Sequence, residues 1–197
     1  EPIAMRVPEE CFYIRFGSFQ NYLWSEKLQD EYGGDLEHMI TLRGFDDRAG
    51  ERMQRQLVLE SSPLADLLGP AVIADVALIG RDLFLREGAA VGMLFQARNA
   101  LLGNDLNNQR KAALNAEQAN GAKIETVQIG GRDVSFLSTP DYRLRSYYVV
   151  DGDYHLVTTS RAIVERFLEV RDGRGSLGAS REFRHARSIM PTSRQDT

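Results

Sequence analysis

Cysteine is nearly absent from this chain: among 197 residues there is one, Cys11. A lone thiol excludes an intrachain disulfide framework and a metal site built only from the cysteines of one chain. Histidine is scarce too, with three, and His38, His155 and His185 form no H-x-x-x-H or H-E-x-x-H pair, so no zinc motif is present. No apolar run approaches the roughly 18 residues that a membrane-spanning helix needs, and membrane insertion by this segment is not expected. An excess of positive charge is also missing. The 24 Lys and Arg against 28 Asp and Glu leave a net charge of −4, which gives no general pull toward a phosphate backbone, so nucleic acid is not an expected partner. What the chain does have is 43% hydrophobic residues, enough to bury a core at this length.

The sharpest local signal runs from Tyr142 to Val170, YRLRSYYVVDGDYHLVTTSRAIVERFLEV. Asp151-Gly152 fits a two-residue type I′ hairpin loop, which needs positive φ at both central positions, a conformation Asp tolerates and Gly adopts freely. That loop sets Val149 opposite Tyr154, Tyr148 opposite His155 and Tyr147 opposite Leu156. One face then collects Tyr147, Val149, Tyr154 and Leu156 for burial, and the other carries Leu144, Ser146, Tyr148, Asp153, His155 and Val157. A longer, bulged turn would shift the pairing by a residue. Downstream, Ser160 has N-cap chemistry, and Ile163, Val164, Phe167 and Leu168 recur at helical spacing. This predicts an amphipathic helix lying on the sheet.

Ahead of that block, Cys11 to Phe16 predicts a short strand closed by Gly17, and Ser18 caps a helix from Phe19 to about Tyr32 with Phe19, Tyr22, Leu23 and Leu28 as candidates for its inner side. Arg43 to Arg55 is dense in charge and predicts a loop leading into a solvated helix that ends near Leu59. Ser62-Pro63 then opens a short helix, Leu64 to Leu68. Val72 to Ile79 and Ala90 to Ala97 are apolar stretches of strand length. A polar helix from about Asn99 to Ala119 follows, with Leu101, Leu102, Leu106, Ala113 and Leu114 as sparse apolar positions and Gly121 as its stop. It is expected to cover an edge or face of the sheet while staying largely wet. Ile124 to Ile129 and Arg132 to Ser138, joined at Gly130-Gly131, predict a second hairpin that sets Val127 against Val134, one face buried and one solvated. The glycine-rich DGRGSLG reads as a flexible connection to a last helix, capped by Ser180 and running to about Ile189 before Pro191.

The expected fold class is α+β, with a mainly antiparallel sheet of about seven strands and helices packed on one face. Residues 1 to 191 are expected to form one domain, and residues 192 to 197 a polar tail. No regular β-α alternation marks a Rossmann-type sheet.

The candidate site is Tyr148, Asp153 and His155, which share one predicted strand face. A His beside a Tyr, with a carboxylate on the same side, is the raw material of a proton-transfer pair. A His packed on a Tyr at a strand surface is the commoner, structural use of the same residues. Cys11, ahead of an apolar strand, reads as a small buried thiol before a nucleophile, and no Gly-x-Ser-x-Gly elbow is present. The run Gly173-Arg174-Gly175-Ser176-Leu177-Gly178 lacks the Walker lysine and follows no buried strand, so it does not read as a phosphate cradle. Asp46-Asp47-Arg48 and the arginines after it read as a solvated charged face before a docking surface. No cofactor and no metal are expected.

The strings VIADVALIGRDLFLREGAA, VSFLSTPDYRLRSYYVVDGDYHLVTTSRAIVERFLE and SLGASREFRHARSIMP resemble segments of large, uncharacterised bacterial proteins. More loosely, Val72 to Pro191 is similar to a domain-of-unknown-function family of envelope-associated bacterial proteins. In that family a strand pair leads through a Ser step to a helix, a Gly-rich break and a further helix like the one at Ser180-Arg181-Glu182-Phe183. The resemblance implies a module of a longer chain working outside the cytoplasm, and it carries no catalytic residues to transfer. The residues agree on the first point, because the chain opens at Glu1 without an initiator Met or leader and PTSRQDT has no structure signal. The expected role is a non-catalytic interaction or structural module of a larger extracytoplasmic protein, its partners other domains of the same chain or a second protein. The alternative is a hydrolase-like or ligand-binding sensor domain with a site assembled from distant residues.

Overall fold

The computed structural model describes residues 1–28, 31, 57–58, 69–82 and 90–190. His38, most of the predicted region from Arg43 to Leu59 with Asp46-Asp47-Arg48, the predicted helix at Leu64 to Leu68, and the tail lie outside the described residues.

Seven strands form one antiparallel sheet: β1 (Phe12–Arg15), β2 (Ile73–Asp82), β3 (Ala90–Ala97), β4 (Lys123–Ile129), β5 (Arg132–Ser138), β6 (Arg145–Asp151) and β7 (Tyr154–Thr158). Their order is β1-β2-β3-β7-β6-β5-β4. Two antiparallel meanders thus meet where β3 pairs with β7. The α+β class and the seven-stranded antiparallel sheet are those the sequence predicts. The helices that accompany the sheet include α1 (residues 19–28), α2 (Leu101–Ala116), α3 (Arg161–Glu169) and α4 (Arg181–Ile189).

This topology dictates the path of α2. β3 is third from one edge and β4 is the opposite edge, so the chain must cross four strand spacings, about 19 Å at ~4.8 Å each. The 16 residues of α2 span about 24 Å at ~1.5 Å per residue. Laid across the sheet, one helix closes the gap. Leu102 and Leu106 of α2 pack with Phe95, Tyr148 and Val157 on one face. Ile163, Val164, Phe167 and Leu168 of α3 pack with Tyr147, Val149 and Leu156 on the other. The helices therefore divide between the two faces and do not share one. The cause lies in the central strands, because β3, β6 and β7 are buried along most of their length and both of their sides need a cover. At the β5 end, Leu137 is fully buried with Val58 and Leu144, and Ala113 and Leu114 pack on them. The side of the β4–β5 hairpin expected to be solvated is thus partly roofed by the end of α2.

The β4–β5 hairpin has the predicted register, with Val127 opposite Val134 and positive φ at Gly130 and Gly131. The β6–β7 hairpin differs by two residues: Val149 faces Leu156, Val150 faces His155 and Asp151 faces Tyr154. Its loop is Gly152-Asp153, and only Gly152 takes positive φ, at 61°, as a turn with glycine first requires. Asp151 stays in the strand because its carboxylate is held by Arg6 and by Arg132, the latter at 2.6 Å. A shift of two leaves every side chain on its expected face, since strand faces repeat with period two. The serine caps also match expectation. Ser160 Oγ accepts the Ile163 N–H at the start of α3, and Ser180 Oγ accepts the Phe183 N–H at 3.2 Å at the start of α4.

The glycine-rich segment before α4 is not a flexible connection. It packs against the first turn of the chain, a 3-10 turn at Ile3–Arg6. Leu177 N–H donates to Val7 O at 2.7 Å, and Pro8 bridges Ser176. A Cβ on Gly178 would lie 2.8 Å from Met5 Sδ and 2.9 Å from backbone atoms of Ala4 and Met5. Glycine is there for close approach. Glu1 extends the clasp by pairing with Arg187 of α4 at 2.6 Å and accepting the Tyr13 hydroxyl at 3.0 Å.

Candidate functional site

The expected site residues fall on the α2 face of the sheet. Tyr148 projects from β6 and His155 from β7, diagonal neighbours across the strand pair, since Tyr148 is opposite Val157 and His155 opposite Val150. Their side chains meet, with Tyr148 Oη 2.8 Å from His155 Nδ1 and the rings tilted 24° to one another. Both residues are buried, at 6% and 7% exposure. Asp153 is not part of the contact; it lies exposed in the turn, and the influence it has on His155 is a favourable charge at longer range.

A glycine of α2 closes the pair from above. A Cβ on Gly103 would lie 3.3 Å from His155 Cε1 and 3.6 Å from Tyr148 Oη, tighter than most real contacts, so the helix comes this close because the position carries no side chain. Burial pushes the Tyr148 hydroxyl up to about 12 while the Arg110 cation opposes it, so the phenol keeps its proton at neutral pH. Burial holds His155 below its ordinary value, with Asp153 acting the other way. A protonated phenol needs an acceptor and a neutral imidazole offers one bare nitrogen. Tyr148 therefore donates to Nδ1, the arrangement that satisfies both groups.

About two turns beyond Gly103 on α2 sits a residue that the sequence did not single out. Arg110 is 3% exposed and ends among β5 and β6. Its guanidinium donates to Ser146 Oγ at 2.7 Å and to Ser146 O at 3.0 Å, and to Ser135 O and Oγ, both at 3.1 Å. It also lies 5.7 Å from the Tyr148 ring centre. Among the described residues no carboxylate pairs with it, and its Nε has no partner. Burial lowers it to about 10, so it remains a cation. Ser146 in turn donates to Leu57 O at 2.9 Å. The signal that finds Arg110 in the sequence is helical spacing, for it follows Leu102 and Leu106 at i+8 and i+4 on the buried stripe.

The other sequence candidates have structural surroundings. Cys11 is buried, and burial, with Glu10 next, pushes its thiol up to about 11, which is the opposite of nucleophile activation. His185 is exposed on α4. On the α3 face Asp151 joins Arg6 and Arg132, and the Arg6 guanidinium stacks over Tyr154 and Phe167 at 5.0 and 5.3 Å. Among the described residues no three His, Cys, Asp or Glu side chains gather as metal ligands would, and no helix is long and apolar enough to cross a membrane. Neither a protein-family model, nor a curated protein, nor a solved structure matches the chain.

Proposed function

We propose that this chain is a non-catalytic interaction or structural module, spanning residues 1 to 191, of a larger extracytoplasmic bacterial protein, with other domains of that protein or a second protein as its partners. One observation carries the non-catalytic reading: Tyr148 and His155 spend their polar atoms on each other beneath Gly103, while Asp153 stands apart in the turn. A general base must lie within hydrogen-bond reach of a substrate proton, and here the imidazole nitrogen that faces a partner already has one. The larger-protein and extracytoplasmic parts rest on the segment resemblance alone.

The test is turnover. Purified protein is assayed against ester, amide and phosphoester reporter substrates beside His155→Phe and Tyr148→Phe, with circular dichroism to confirm that each variant folds. The proposal expects the same background rate for all three. Turnover that drops by ~100-fold or more in either folded variant, the scale of a lost general acid or base, would replace it with the hydrolase reading.

A further inference from the structure

We infer that the Tyr148–His155 pair is an acid-sensitive latch, which holds α2 on the sheet while the imidazole is neutral and loosens it when the ring takes up a proton. The groups around His155 are few among the described residues. Tyr148 and Val150 face it from β6, Phe95 is opposite it on β3, and Gly103 covers it from α2. The charges in that neighbourhood are Arg110 of α2, which lies over the Tyr148 ring, and Asp153, exposed in the turn. Asp105 of α2 is exposed and is engaged by the Gln109 amide at 2.7 Å. α3 lies on the opposite face of the sheet.

Protonation changes two things in this layer. Both ring nitrogens become donors, so Nδ1 can no longer accept the Tyr148 proton, and the phenol proton loses its acceptor in a buried place. A second cation also joins Arg110 in a layer where, among the described residues, no carboxylate is paired with the first. Among the described residues the opposing charge comes from Asp153, which is screened by solvent. The lost hydrogen bond joins β6 to β7, but what shuts the charged ring and the orphaned phenol away from water is α2, through Gly103 over the pair and Arg110 over the Tyr148 ring, so relief comes from α2 moving off and admitting water.

The direction with pH follows from linkage. His155 titrates lower in the folded chain than its ordinary 6.5, so the unfolded or opened form binds more protons between those two values. Stability from this site is complete above pH 6.5 and declines as pH falls below it, levelling off once the folded ring is itself protonated. Asp151 and Glu10 are held below the usual carboxylate range by their arginines, against the pull of burial. Their contributions are therefore lost at lower pH, outside this window.

Hydrogen exchange read by mass spectrometry on the whole chain at pH 7.5, 6.5 and 5.5, corrected for intrinsic exchange, tests the latch. Opening of residues 101–116 should rise below pH 6.5 by up to about tenfold per unit, the limit for one coupled proton, with residues 161–169 unchanged. His155→Phe should remove the rise. Equal protection of 101–116 at all three pH values overturns the proposal, as does an equal acid loss in 161–169 or in the variant. Should His155→Phe fail to fold, the His155 ring is titrated by NMR in the unaltered chain. A midpoint below 6.5 with α2 signals shifting in step supports the latch, and any other result overturns it.

Discussion

Gly178→Ala probes the contact between the two ends of the described chain. The position takes no left-handed backbone, so alanine brings no torsional penalty there, and its effect is steric. The new Cβ would sit 2.8 Å from Met5 Sδ and 2.9 Å from the Ala4 carbonyl carbon and the Met5 nitrogen, where ordinary contact begins at 3.4 Å. The first turn of the chain must then retreat by at least about 0.5 Å, and two of the three obstructing atoms are backbone, so no rotamer change relieves them. That retreat stretches the Leu177 N–H to Val7 O bond, now 2.7 Å, and the bridge from Pro8 to Ser176. Overpacking of this kind costs ~1–3 kcal/mol. At about 2–4 °C per kcal/mol for a chain of this size, Tm should fall by roughly 2–12 °C. Thermal melts followed by circular dichroism read the shift, and hydrogen exchange should show the loss concentrated in residues 3–8 and 175–180. Because the obstruction is mainly backbone, adding Met5→Ala should not restore the wild-type Tm. A Tm within ~1 °C of wild type, with unchanged exchange in those residues, would refute the argument that glycine is present for close approach.

Further outcomes follow from the same structure. Asp151→Asn leaves Arg6 and Arg132 without their counterion, and since Arg6 and Asp151 have side chains only 12% and 10% exposed, urea unfolding should show a loss of about 2–4 kcal/mol at pH 7. The Asp151 carboxyl is depressed by Arg6, so its contribution is present above its unfolded value and is lost as pH falls through the folded one. Wild type and variant should therefore converge as the pH falls through the folded value of Asp151, and a gap that stays constant with pH would count against the ion pair. Ser160→Ala removes the cap of α3 and should cost about 1 kcal/mol in urea unfolding; no change would mean that the Ile163 N–H finds another acceptor.

The parts of the fold that were legible in the sequence are those set by neighbouring residues. Gly130-Gly131 fixes a hairpin within two residues of itself, and Val127 does face Val134. Ser160 and Ser180 announce their helices because a cap acts over three residues. The β6–β7 faces were legible for the same reason, but the register was not. It depends on Arg6, which is 145 residues from Asp151 and keeps that aspartate in the strand. The glycine-rich segment was misread for a like cause, since glycine supplies either freedom or closeness and only a distant partner decides which. Of the candidate site, the meeting of Tyr148 and His155 was readable from strand parity. Its enclosure was not, because that depends on α2 crossing from β3 to the far edge, a consequence of strand order. Asp153 was placed on the right side of the sheet and yet belongs to the turn. Arg110 was missed because a buried arginine without an acid violates the expectation that charge stays in water.

The enclosed Tyr148 to His155 hydrogen bond is the centre of the account, and nitrogen-detected NMR of the imidazole at pH 7.5 tests it most directly. The expected result is a neutral ring protonated on Nε2 with Nδ1 bare, together with a slowly exchanging Tyr148 hydroxyl proton that correlates with Nδ1. A ring that is charged or protonated on Nδ1 at this pH, or a Tyr148 hydroxyl exchanging freely with water, would contradict it.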